Sequence, residues 1–286
     1  MANILAVGIA TLDIINTVES YPAEDEEVRA LSQRQARGGN ATNTLVVLSQ
    51  LGHHGCWAGV IIDEPDVQLI KQDLASFNID FSACTVLNSG KMPTSYISLS
   101  KESGSRTIVH HRDCPEFSFT DFQKIDLQPF DWVHFEGRNV DETLNMFKWL
   151  KQHYPDLPFS LEVEKPRANI ESLFDYPHFL MFSQQYALAK GYETASALLQ
   201  ALPTTISASC TWGELGAWAI NNANIVSSPA YPPANIVDTL GAGDTFNAGL
   251  ISALLQQKTI KQALTQACQL AGHKCGQLGF ANLING

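Results

Sequence analysis

The stretch that most constrains the chain is Asp238-Thr239-Leu240-Gly241-Ala242-Gly243-Asp244-Thr245-Phe246. An apolar run, Asn235-Ile236-Val237, ends just before it, and a helical pattern of Phe246, Leu250, Ala253 and Leu254 begins at its end. The backbone must turn sharply between the two, and the glycines permit that. A loop that feeds a helix N-terminus presents free N–H groups and the positive end of the helix dipole, which attract an anion. Without side chains at Gly241 and Gly243, a phosphate can approach the main chain. Asp244 would repel that phosphate if its task were structural only. A carboxylate poised to take a proton from an attacking hydroxyl belongs there, and the pairing points to phosphoryl transfer.

Taken as a tripeptide, Gly-Ala-Gly is an ordinary tight turn and Asp244 a helix-start acid. The nine-residue string is more specific. It resembles the C-terminal signature of the ribokinase-like (phosphofructokinase-B type) sugar kinases. That resemblance implies that Asp244 is the catalytic base and that the amides of Gly241, Ala242 and Gly243 form an anion hole.

The chain's 286 residues suffice for one large domain with an insertion, or for two small ones. With 45% hydrophobic and 16% charged residues it reads as globular. The net charge of −11 argues against a nucleic-acid surface. A polyphosphate ligand would need local compensation from Mg²⁺, backbone amides and a few placed cations. The six scattered cysteines, without a Cys-x-x-Cys pair, read as reduced thiols. The N-terminal Met1 to Gly8 lacks a basic region, its apolar run is short, and no stretch approaches a membrane span; the expectation is a cytoplasmic protein.

Ile4 to Val7 reads as a buried strand ending at Gly8, with Asp13 just beyond it, where α/β sheets bind ligands. Ile14 to Val18 and Val28 to Leu31 read as strand, turn, strand around a polar segment. Thr94 to Leu99 and Arg106 to His110, joined by Lys101 to Ser105, repeat the pattern. Together they predict a small antiparallel sheet that serves as a lid, a dimer contact, or both. Gly38-Gly39-Asn40-Ala41-Thr42-Asn43 opens a helix running to Gly52, with Asn40 and Asn43 on one face. Carboxamides suit sugar hydroxyls, although Asn40 alone would serve equally as an N-cap. Further strands are expected at Cys56–Ile62, Asp131–Phe135, Phe159–Val163, His178–Phe182 and Thr205–Ser209. Helices are expected from Val67 to Phe77 and from Ile260 to Ala271.

Gly38-Gly39-Asn40-Ala41 resembles the family's N-terminal signature, in the expected order relative to the C-terminal one. The resemblance runs over nearly the whole chain and is nearest the ketohexokinase branch. It is carried also by Tyr21–Asp25, Arg29–Arg34, Gly104–Ile108, His134–Asn139, Glu162–Arg167 and Gly272–Gly276. It implies a ribokinase-like three-layer α/β/α sandwich with a small antiparallel β lid, all in one kinase domain over 1–286. The core would be 1–12, 36–91 and 113–286, and the lid 13–35 and 92–112. It implies an ATP-dependent kinase acting on a primary hydroxyl of a ketose, with fructose giving the 1-phosphate. Asp13, Gly39, Asn40 and Asn43 would hold the sugar, and Asp25 would reach the sugar site of a partner in a homodimer joined through the lids. Arg106, Trp212, Gly213, Glu214, Gly216, Pro232, Pro233, Phe246 and Cys275 would face the nucleotide. On its own, the Trp212–Gly216 segment is a hairpin turn.

Glu162 and Glu164, two apart on a strand, share one face and are the candidates to hold Mg²⁺, directly or through water. A solvated strand end paired with Lys165 or Arg167 fits them as well. Many members of the wider family carry Asn-x-x-Glu after the strand at Phe179–Phe182. This chain has Ser183-Gln184-Gln185-Tyr186, as ketohexokinases also depart there, so the metal ligands stay open, as does a K⁺ requirement. Arg138, like Arg106, is a candidate for a phosphate contact. The pairs His53-His54 and His110-His111 read as structural or surface residues. No basic cluster beside Asn40 marks a phosphorylated acceptor. A dinucleotide-dependent oxidoreductase is disfavoured, since Gly-x-Gly-x-x-Gly is missing after the first strand, and no Walker-type Gly-x-x-x-x-Gly-Lys-Ser/Thr occurs. A sugar sensor without turnover is the non-enzyme alternative, and the intact Asp244 and glycine loop speak against it.

Overall fold

The structure is a computed structural model that describes residues 1–103 and 105–284. Gly104, in the turn expected between two lid strands, lies outside the described residues, as do Asn285 and Gly286. The chain starts with β1 (Asn3–Val7), β2 (Thr11–Val18), β3 (Ser32–Gly38), α1 (Asn40–Gln50), β4 (His54–Ala58) and β5 (Val60–Ile62). It continues through α2 (Val67–Ser76), β6 (Thr85–Leu87), β7 (Lys91–Ser100), β8 (Arg106–Asp113), α3 (Phe119–Phe122), β9 (Trp132–Glu136) and α4 (Val140–His153). The second half holds β10 (Phe159–Val163), β11 (Phe179–Phe182), α5 (Gln184–Ala189), α6 (Ala195–Ala201) and β12 (Ala208–Thr211). It closes with β13 (Ala217–Asn221), β14 (Asn224–Ser228), α7 (Ala242–Leu255) and α8 (Ile260–Cys275).

The main sheet has the order β14-β13-β12-β11-β10-β9-β1-β4. From β4 to β12 all pairings are parallel, and the two last strands add an antiparallel edge. Parallel strands are covered on both faces, which is why β1, β9, β10 and β11 read as nearly continuous apolar runs. The helices α1 and α7 pack together, α1 against β1, β4 and β9, and α8 against α7, β13 and β14. Aromatic rings cluster in the core: Phe135 meets Phe147 and Phe159 edge to face, and the Phe122–Phe135 and Phe147–Phe159 pairs are tilted. The α/β sandwich is as expected.

The second sheet, in the order β3-β2-β7-β8, pairs β2 with β3 and β7 with β8 antiparallel, and β2 with β7 parallel. Here the expected second strand is displaced. Val28 to Leu31 belong to the irregular, exposed segment 19–31, and β3 begins only at Ser32. Register explains the shift: Gly38 must pair with Thr11 for the chain to enter α1, so Ser32 falls opposite Thr17. β3 is mostly polar because only its far end is buried, and its period was invisible for that reason. The expected strand over Cys56–Ile62 is two strands in different sheets, since β5 leaves the main sheet at Gly59 to pair with β6. A Cβ at Gly59 would lie 2.5 Å from the Gly8 carbonyl oxygen, so only glycine allows the divergence. The strand expected at Thr205–Ser209 begins later, at Ala208.

Candidate active site

The carboxyl ends of β1, β9, β10, β11 and β12 face one side, the usual ligand side of a parallel sheet. The second sheet stands over that side. Between them lies a cavity of about 630 Å³. Its wall includes Asp13, Gly39, Asn40, Asn43, Gly241, Gly243 and Asp244, which are more than 200 positions apart at the extremes of the chain.

Gly241 caps α7 with φ 76°, the left-handed region, and the ring of Phe280 lies 2.2 Å from where its Cβ would be. At Gly243 a Cβ would meet nothing within 4 Å, so the turn is open toward the cavity. Among the described residues the N–H groups of Gly241, Gly243 and Asp244 have no protein acceptor, whereas that of Ala242 reaches the Thr239 carbonyl at 3.3 Å. Asp238 ties the turn down from behind: its carboxylate accepts from the N–H groups of Leu240 (2.9 Å) and Gly279 (3.1 Å). Lys274, fully buried, donates to the Asp238 carbonyl oxygen at 2.9 Å and pairs with its carboxylate at 3.3 Å. Burial lowers the pKa of Lys274 while Asp238 works against that shift.

Asp244 stands in the first turn of α7 and is itself 6% exposed. Its carboxylate accepts from Asn43 Nδ2 at 2.7 Å. The orientation of that carboxamide is determined from outside, because Arg37 donates to Asn43 Oδ1 at 2.7 Å and so turns Nδ2 toward Asp244. Arg37 is held by Thr42 at 2.9 Å and Asp73 at 2.5 Å. Burial pushes Asp244 up to about 7; the bond from Asn43 opposes the rise, and the charges of Glu164 and Glu136 add to it. Glu162 is displaced upward as well, by burial and then by the Asp244 charge. Its two oxygens accept from Asn247 (3.0 Å) and Asn40 (3.1 Å). Asn40 Nδ2 also reaches Glu164 at 3.3 Å, so Asn40, expected as a possible N-cap, makes no cap bond and bridges the two glutamates instead. Glu162 and Glu164 do lie on one side, with Glu136 beside them on the cavity wall.

Basic residues also line the cavity: the expected candidates Arg106 and Arg138, together with Arg34, Lys165 and Arg167. Several are already engaged. Arg138 pairs with Glu136 at 3.1 Å and Glu116 at 3.2 Å, and Lys165 with Glu164 at 3.5 Å. Arg106 comes from β8 and reaches the Thr239 hydroxyl at 3.4 Å, at the edge of the glycine turn.

The remaining expected residues lie outside the cavity wall. Asp25 is exposed in the 19–31 segment. Trp212 is buried, and Gly213 and Glu214 are exposed in the hairpin turn that joins β12 to β13. Gly216 has φ 93°, and a Cβ there would strike the Ser228 carbonyl oxygen at 2.1 Å. Pro232 is exposed, and Pro233 packs on Gly276 next to Cys275, whose carbonyl oxygen accepts from the Val237 N–H at 2.8 Å. Phe246 is 2% exposed and belongs to the core. Ser183, from the stretch replacing Asn-x-x-Glu, caps α5, and Gln185 lines the cavity. His110, read as a structural or surface residue, is exposed, and strand alternation along β8 also turns it to the cavity side with Arg106 and Ile108. Sequence reasoning also passed over Arg37, Ser95, Asp238 and Asn247. Of these, Asn247 had a readable signal, three positions after Asp244 on the same helix face.

The pfkB family carbohydrate kinase model matches residues 1–285. The chain belongs to that family. Ketohexokinase of Mus musculus is 38% identical over 293 residues, covering 98% of each chain. Ribokinase of Bacillus subtilis is 25% identical, covering 95% of this chain and 92% of its own. Among solved structures, the ribokinase of Giardia lamblia superposes with a TM-score of 0.85 at 16% identity, over 99% of this chain and 97% of its own. The ribokinase of Arabidopsis thaliana complexed with ribose and ATP gives 0.81 at 20% identity, over 97% of this chain and 94% of its own. The structural matches establish a ribokinase-type fold. The family makes the chain a phosphotransferase with an alcohol acceptor.

Proposed function

We propose that this pfkB-family kinase transfers the γ-phosphoryl group of ATP to a primary hydroxyl of a ketose, with D-fructose giving fructose 1-phosphate. The observation that carries the reading is Asp244: a buried carboxylate tuned to about 7, bonded to a cavity asparagine and one residue from unpartnered N–H groups. A base poised near the working pH can both hold and release the acceptor's proton. Asp244 takes that proton. The amides of the Gly241–Gly243 turn stabilise charge on the transferring group, and Arg106 adds a cation at its edge. Asp13, Gly39, Asn40 and Asn43 bind the sugar.

ATP lies between the glycine turn and the segments carrying Trp212–Gly216, Pro232-Pro233 and Cys275. Glu162 and Glu164 are oxygen donors suited to Mg²⁺, which bound there would neutralise charge on the phosphates. K⁺ is an additional ion to be tested. The similarity to ketohexokinase supports the ketose. We further propose that the second sheet is a lid over residues 13–35 and 92–112, and that two copies pair through it in the cytoplasm with Asp25 reaching across.

ADP release from ATP and Mg²⁺, with and without K⁺, tests the reading against D-fructose, other ketoses, ribose, adenosine and fructose 6-phosphate. The expected result is turnover on fructose that falls by about 10²- to 10⁴-fold in Asp244→Asn, with ATP binding retained. Turnover on ribose or adenosine alone would replace the acceptor. Near-normal turnover in Asp244→Asn would remove it as the base.

A further inference from the structure

The second sheet presents a polar row across its cavity face. Pairing places Ala36 beside Asp13, Asp13 beside Ser95 and Ser95 beside His110, so one residue from each strand stands in line. All four line the cavity. The next row on the same face is Arg34, Ile15, Ile97 and Ile108, which is apolar over its last three members. Hydroxyls of a bound acceptor therefore have one row to meet, and it ends in an imidazole.

The bonding along that row engages one nitrogen of the imidazole and leaves the other free. Thr11 donates to Asp13 at 2.7 Å. Ser95 Oγ and His110 Nδ1 lie 3.3 Å apart and share a hydrogen bond that engages one ring nitrogen. Nε2 is left over, and among the described residues no protein group bonds it. Burial, followed by the nearby cations Arg138, Arg112 and Lys165 and by His111, favours the neutral ring.

We infer that His110 is a specificity residue, whose free Nε2 hydrogen-bonds an acceptor hydroxyl distal to the one that is phosphorylated. The inference rests on the kinase reading above. It selects acceptors with a hydroxyl at that place.

The test is a cycle of enzyme and substrate changes: wild type, His110→Leu and His110→Gln, each assayed by ADP release with D-fructose and its 3-, 4- and 6-deoxy analogues. With fructose, His110→Leu should lose about fivefold to tenfold in kcat/KM, the worth of one neutral hydrogen bond, mostly through KM. With one deoxy analogue, wild type and His110→Leu should be equal, because the hydroxyl that His110 reads is gone. His110→Gln, which keeps an acceptor oxygen, should recover part of the loss. The same loss on fructose and on every analogue, or no loss on any, overturns the inference while leaving the kinase reading intact. Failure of the wild type on every ketose overturns both.

Discussion

Replacing Asn43 by Leu should move the pH at which the enzyme loses activity. Wild-type Asp244 has its pKa pushed up to about 7 by burial, against the opposing bond from Asn43 Nδ2 at 2.7 Å. A base works ionised, so kcat/KM should fall as pH drops through about 7. A hydrogen bond to a charged group is worth roughly 1.5 kcal/mol, and one pKa unit is about 1.4 kcal/mol, so losing the donor raises the midpoint by about one unit. At pH 7 the ionised share then drops from about one half to about one tenth, a fivefold loss, and at pH 9 the two enzymes have nearly the same share. Asn43 is also a proposed sugar contact, and its loss lowers the alkaline plateau. That effect scales the curve without moving its midpoint, so the two roles separate. The assay is kcat/KM for fructose at saturating ATP from pH 5.5 to 9.5. An unmoved or lowered midpoint in Asn43→Leu would refute the view that this carboxamide tunes the base.

The two glycines of the anion turn should respond differently to alanine. Gly241→Ala places a methyl on the Phe280 ring at positive φ, and thermal unfolding should show a loss of about 1–2 kcal/mol together with reduced turnover. Gly243→Ala meets nothing in the protein, so its unfolding should be near wild type while the KM for ATP rises. Lys274→Met leaves the buried Asp238 carboxylate without its ammonium and should cost about 3 kcal/mol in urea denaturation. Asp244→Asn should be more stable than wild type at pH 8, and the difference should shrink toward pH 5. The sign follows from the raised pKa: the proton's stabilising contribution is full below the unfolded value of 3.8 and is lost as pH rises through about 7.

Legibility in the sequence followed the kind of burial. Strands covered on both faces, such as Phe159–Val163 with its apolar alternate positions and the wholly apolar Phe179–Phe182, announce themselves. β12 is equally buried but made of Ala208, Ser209, Cys210 and Thr211, too small to register as an apolar run, and the bulkier Thr205-Ile206 before it drew the boundary forward. β3 is polar, and only its pairing with β2 defines it. In the site, glycines and carboxylates near Gly39 and Gly241 were legible because a turn or an anion leaves a local signature. Arg37, Ser95 and His110 have no such signature. Their roles come from which strand lies beside which, and a parallel neighbour such as β7 beside β2 is remote in sequence.

The charge of the site shows how an acidic protein can host a polyphosphate. Glu136, Glu162 and Asp244 are all buried, and burial raises the pKa of each, while Arg138 opposes the rise at Glu136. Glu162 keeps acceptor bonds from Asn40 and Asn247, so its oxygens remain directed into the cavity region whichever state it adopts. A cation arriving there would lower all three values at once and favour ionised Asp244, the form a base requires. The formal charge of −11 counts these groups as fully ionised. For this cavity that count overstates the repulsion, since arginines on its wall and the free amides of the glycine turn offset the carboxylates locally.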